Sequence, residues 1–248
     1  MHHPRSIGTW SRSCREAGSG VSTQVPVAEF PLWFMGGSMP QFWDATAFGE
    51  FATRHSTLYL TRTLMDLFIF SLLMVFFGGF RHLIVMTQAS DEWIATTFFG
   101  LSTIYTALTL VSDSLTGSIA LDAVGGKADP TVIRALNEST VLMFGSVGIF
   151  LIATMMVVAG ILILRTHALP RWTGWFALAT AVWDLGFVPT MYFGTDFTRF
   201  YSAAGDGPAA AAPFPFIVWI VSTAICMTRR RPSEDKESNA AGAFFESV

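Results

Sequence analysis

Charge is what this chain has least of. Only 13% of its 248 residues are Asp, Glu, Lys or Arg, against about 25% in an ordinary soluble domain. The formal net charge of -3 leaves no basic surface for a nucleic-acid backbone. Cysteine is nearly absent: Cys14 and Cys226 lie far apart, form no C-x-x-C pair and no metal-ligand spacing, and read as free thiols. Signatures of chemistry are missing as well. There is no H-E-x-x-H, no G-x-S-x-G, no Walker loop and no dinucleotide fingerprint. Histidines suited to haem ligation are absent from the apolar runs. No catalytic residue, metal ligand or cofactor site is therefore predicted, and an enzyme is the least favoured class.

What the chain has instead is apolar length, with 52% of its residues hydrophobic. A helix needs about 20 apolar residues to cross a hydrocarbon core. Runs at 58–80, 93–121, 138–164, 172–193 and 209–228 meet that standard. A further stretch, 21–37, is shorter and interrupted by Gln24, Pro26, Glu29 and Pro31. It reads as a worn span, a re-entrant segment or an interfacial stretch. The fold class is all-α: a polytopic transmembrane helical bundle of five to six spans, flanked by polar cytoplasmic tails, 1–20 and 229–248, expected to be disordered. Asp129-Pro130 is an N-cap followed by proline at the first helical position, so the third helix begins before it enters lipid. Trp33, Trp43, Trp93, Trp172 and Trp175 fall near span ends and suit an aromatic belt. Asn137-Glu138-Ser139 matches a glycosylation acceptor but abuts the membrane.

Lys and Arg near span ends set topology. Arg81, Arg165, Arg171 and Arg229–Arg231 fall on one side if the spans alternate; the other side is rich in Asp. Both termini are expected in the cytoplasm, or only the C-terminus if 21–37 does not cross.

Acidic residues inside spans cost roughly 2.5–3.5 kcal/mol each on insertion scales, and usually face the bundle interior with a partner. Asp66, Asp113 and Asp184 are such residues, each roughly 12–14 Å from the outer end of its span. Arg62, one turn before Asp66, is the natural counter-charge. Ser102, Thr106, Thr109, Asp113 and Thr116 make one polar stripe, while Gly174, Ala177, Ala181 and Asp184 share a face. Gly145 and Gly148 follow Glu138 along the third span, and small residues let backbones approach closely. These faces are expected to meet with their carboxylates together. The candidate ligand or proton site is Asp66, Asp113, Asp184, Arg62, Glu138, Thr106 and Thr109. Carboxylates crowded in a low dielectric repel one another, which suits a proton or a cation. The alternative is a satisfied polar network that only holds the bundle, since Ser and Thr commonly bond their own helix.

The stretch from Arg165 to Trp175, R-T-H-A-L-P-R-W-T-G-W, resembles the R-S/T-x-x-L-P-R-W-x-G connection of a broad group of uncharacterised bacterial multi-pass proteins, many of them actinobacterial. The resemblance extends over about residues 30–195, although that group has a stronger first span than 21–37. It implies a bacterial plasma-membrane location and brings no activity and no catalytic residues. The expected function is a scaffold, regulatory or accessory role in the plasma membrane, with a small proton- or cation-coupled carrier as the alternative. The lipid bilayer is the expected partner. A protein partner or homo-oligomer and the identity of any small-molecule or ion ligand stay open.

Overall fold

The computed structural model describes residues 44–125, 129–196 and 198–245. The stretch 21–37, the tail 1–20 and Trp33 and Trp43 lie outside the described residues, as do Cys14 and Lys127. Among the described residues the chain is helical, without a strand, and carries five helical stretches long and apolar enough to cross a membrane.

A short amphipathic helix, α1 (Ala45–Arg54), opens with the Asp44 carboxylate accepting from the Ala47 amide at 3.0 Å. Then comes α2 (Ser56–Thr87), joined through a tight turn at Ala89–Asp91 to α3 (Glu92–Gly125). The expected cap is present: the Asp129 carboxylate accepts from the Thr131 amide at 2.7 Å, and α4 (Pro130–Leu142) starts at the proline. A π-helical turn at Met143–Val147 links α4 to α5 (Gly148–Thr166), and a short loop leads to α6 (Arg171–Leu185). Beyond a 3-10 turn at Val188–Phe193 and a second π-helical turn at Gly207–Ala211 runs α7 (Pro213–Phe245).

Two of the spans are interrupted within their apolar runs. The third span is not one straight helix, because Gly145 leaves helical geometry at ψ -114°. A Cβ on Gly148 would meet the Met143 carbonyl oxygen at 2.7 Å, so a glycine there makes room for the turn. The fourth span stops being α-helical at Leu185. Pro189 has no amide to donate, and the chain continues there as a 3-10 turn instead of an α-helix. The backbone of α7 is also helical past Pro232, where composition suggests disorder; Glu234, Lys236, Glu237, Ala240 and Ala241 are good helix formers.

Helices α3 and α5 form the centre, with α2 against α3 and α6 against α5. The main core joins Phe77, Phe80, Phe98, Met155, Met156 and Trp219. The Phe80 ring lies 4.8 Å from Phe98 and 5.9 Å from Trp219, whose indole N–H donates to the Thr173 carbonyl at 3.0 Å. The opposite face of α2 presents Leu64, Phe68, Leu72 and Val75 outward, as a lipid-facing helix does. Trp93, Trp172 and Trp175 are likewise exposed at one end.

Close approach decides the α5–α6 hairpin. A Cβ on Gly160 would fall 2.7 Å from Leu178 Cγ and 3.0 Å from the Gly174 carbonyl oxygen. Gly160→Val is expected to lower stability by about 1–3 kcal/mol through overpacking. Thermal melts in detergent check this, and an unchanged melting temperature would show that the hairpin gives way freely.

Candidate functional site

The structure divides the predicted carboxylates into two groups. Asp66 and Asp113 belong together. Both lie roughly 32 Å along their helices from the Ala89–Asp91 turn. Thr63 of α2 packs at Gly117 of α3, within about a turn of each. Asp66 is buried and its Oδ2 is 3.6 Å from the Arg62 Nε. Arg62 and Asp66 both act electrostatically on Asp113. Asp113 is buried too, with its Oδ2 lacking a hydrogen-bond partner.

Asp184 stands apart. It lies roughly 20 Å along α6 from Arg171, about 12 Å short of the level of Asp66 and Asp113. The expected common depth assumed an unbroken helix through 172–193; the end of α6 at Leu185 removes that assumption. Asp184 is 0% exposed and neither carboxylate oxygen has a hydrogen-bond partner among the described residues. Tyr105, on α3 at the same roughly 20 Å level, lies between the groups, with its hydroxyl acted on by both Asp113 and Asp184. Its ring packs on Phe216 at 6.0 Å and on Phe70 at 6.5 Å.

The remaining predicted residues separate similarly. Glu138 pairs with Arg134 on its own helix at 2.9 Å and is partly exposed. Thr109 is buried and donates to the Tyr105 carbonyl at 2.8 Å, a bond within its own helix. Thr106 is buried with its hydroxyl unpartnered. Sequence reasoning missed Thr180, Ser146 and Thr223, all buried with hydroxyls unpartnered among the described residues; the Asn137 of the glycosylation match is buried and cannot accept a glycan in the folded chain.

Helical interruptions lie near the end of α6. Asp184 occupies the last turn of α6, and the π-helical turn at Met143–Val147 packs against both the Val188–Phe193 turn and the Gly207–Ala211 turn. Above them the connection from Gly186 to Ala212 is tightly built. The Trp183 indole donates to the Ala211 carbonyl at 2.9 Å, and the Tyr201 hydroxyl donates to the Gly186 carbonyl. Phe187 stacks among Trp183, Phe200 and Tyr201.

Two carboxylates of this connection titrate in opposite senses. The hydroxyl and amide of Thr198 both donate to Asp196, with Arg199 beside it, and hold it below the usual carboxylate range. Burial pushes Asp206 up. The Asp196 contribution is present at neutral pH and is lost as pH falls below about 4; the Asp206 contribution is present in acid and is lost as pH rises above about 4. Asp206→Asn is therefore expected to raise the melting temperature at pH 7 by no more than about 2 °C, solvent screening included, and to change nothing at pH 3. Asp196→Asn should lower it at pH 7. The two variants melted in parallel at both pH values check the pair of signs.

At the other end, Arg165 donates to the buried Asp91 at 2.9 Å, and Arg81 pairs with Glu92 at 3.1 Å. The loop between Arg165 and Arg171 is a tight α5–α6 turn. His167 adopts φ 52°, Thr166 accepts from the Ala168 amide, and Arg171 donates to His167 at 2.7 Å.

Comparison with protein-family models, with curated proteins and with solved structures gives no match.

Proposed function

We propose that this integral membrane protein is a small proton- or cation-coupled carrier of a bacterial plasma membrane, its C-terminus in the cytoplasm and Asp184 its coupling carboxylate. One observation carries this reading: a fully buried carboxylate, mid-span, with both oxygens unpartnered among the described residues. Ionisable groups so deep in a span mark ion pathways and proton relays. The meeting of interrupted spans near the end of α6 supports the same reading, because carriers bind their ions where discontinuous helices meet.

The location and orientation rest on residue distribution. Arg81, Arg165, Arg171 and Arg229 lie toward one end of the bundle, as a cytoplasmic face requires. The resemblance of the Arg165–Trp175 loop to bacterial multi-pass proteins supports the plasma membrane. A scaffold, regulatory or accessory role is the second reading; the Arg62–Asp66 ion pair favours it, being the kind of satisfied contact that merely holds helices together.

The test is charge movement in reconstituted liposomes after a jump in proton or alkali-cation concentration. A carrier gives a signal above protein-free liposomes. Silence under every gradient leaves the scaffold role standing.

A further inference from the structure

We propose that Asp184 and the Thr180 hydroxyl one turn before it bind a small, partly dehydrated monovalent cation, the coupling ion of the carrier; this rests on the carrier reading above. The hydroxyls of this protein provide an internal comparison. Ser102, Thr109, Thr116, Thr154 and Thr166 each donate to the carbonyl four residues back in their own helix. That is the ordinary fate of such groups in lipid. Thr180 departs from it, as Thr106, Ser146 and Thr223 do: it is 1% exposed, lies inside α6, and its hydroxyl has no partner among the described residues. Residues four apart share a helix face, so the unpartnered hydroxyl and the unpartnered carboxylate are neighbours on one side of α6. Three oxygens thus stand unpartnered on one buried face.

The chemistry of that face selects the ligand. Oxygen ligands suit hard cations. The last turn of a helix ends in carbonyls and carries the negative end of its dipole, which also favours a cation. A proton would neutralise the carboxylate and can bridge one of its oxygens to the hydroxyl, but it leaves the second carboxylate oxygen bare. A cation engages all three. One carboxylate supplies one negative charge, and among the described residues no group of three His, Cys, Asp or Glu could hold a metal ion. A divalent or transition metal is therefore the wrong partner, and an alkali cation is the right one.

The experiment is a thermal-stability series on the purified full chain in sodium, potassium or lithium chloride, against N-methylglucamine chloride at equal ionic strength. At ten times its Kd, a cation that binds only the folded form is expected to raise the melting temperature by about 3–6 °C. The rise should vanish in Asp184→Asn, weaken about tenfold in apparent affinity in Thr180→Val, and return in Thr180→Ser. Radioactive sodium binding to wild type provides the readout if a variant fails to fold. If no alkali cation differs from N-methylglucamine and wild type binds no labelled sodium, the cation site is wrong. In that event a proton-driven signal in liposomes would keep the carrier with a proton as its ion, and silence there would remove both.

Discussion

Asp184→Asn is expected to reduce ion-driven charge movement to the level of protein-free liposomes while leaving the protein folded and no less stable. Both halves follow from one feature, a carboxylate with no exposure and no hydrogen-bond partner among the described residues. Asparagine has the same shape and no charge. It cannot neutralise a cation or exchange a proton, so coupling through that position ends. In cation-free buffer the substitution also relieves an uncompensated buried charge, and a stability gain of about 1–3 kcal/mol is expected. Asp66→Asn is the contrast. Asp66 has Arg62 as its ion partner at 3.6 Å, and removing the carboxylate should cost about 1–3 kcal/mol while charge movement survives. The two variants, melted in detergent and then reconstituted, separate the roles. A destabilised Asp184→Asn with unaltered charge movement would make Asp184 a structural residue and end the carrier reading.

Much of the frame was legible because lipid imposes length. An apolar run near 20 residues has one plausible conformation, so five spans could be read from composition alone. The Asp129-Pro130 start was legible because both residues have a stereochemical reason to stand at a helix N-terminus. The breaks were not. Within 138–164 nothing but Gly145 and Gly148 signals the π-helical turn, and in a membrane span glycine equally signals helix packing. Gly186 and Pro189 did carry a stop signal, but the apolar run continued across it. That one boundary placed Asp184 level with Asp66 and Asp113. The polar stripe on α3 was real as a pattern, yet Ser102, Thr109 and Thr116 bond their own helix. Periodicity cannot tell which hydroxyl lacks a partner; Thr106, Thr180 and Ser146 stand out only once every neighbour is placed.

Arg165→Ala is expected to cost about 3 kcal/mol, a fall of roughly 6–12 °C in melting temperature, whereas Asp91→Asn should cost no more than about 1 kcal/mol. The asymmetry comes from exposure. The Asp91 side chain is 2% exposed and that of Arg165 is 56% exposed, so the two ends of the 2.9 Å pair sit in different media. Removing the arginine strands a carboxylate in the interior, with one oxygen already lacking a hydrogen-bond partner. The positive end of α3, which begins at the next residue, offsets about 0.5–1 kcal/mol of that loss. Removing the aspartate leaves a guanidinium that already meets solvent. The double variant Arg165→Ala/Asp91→Asn should recover most of the loss, because neither charge is then stranded. Equal costs for the two single variants would mean that both ends feel the same dielectric. The arginine that opens the α5–α6 loop is in this account a clamp between the start of α3 and the end of α5. Charge movement should accordingly persist in folded Asp91→Asn protein, since the pair lies at the end of the bundle, roughly 20 Å along α6 from Asp184.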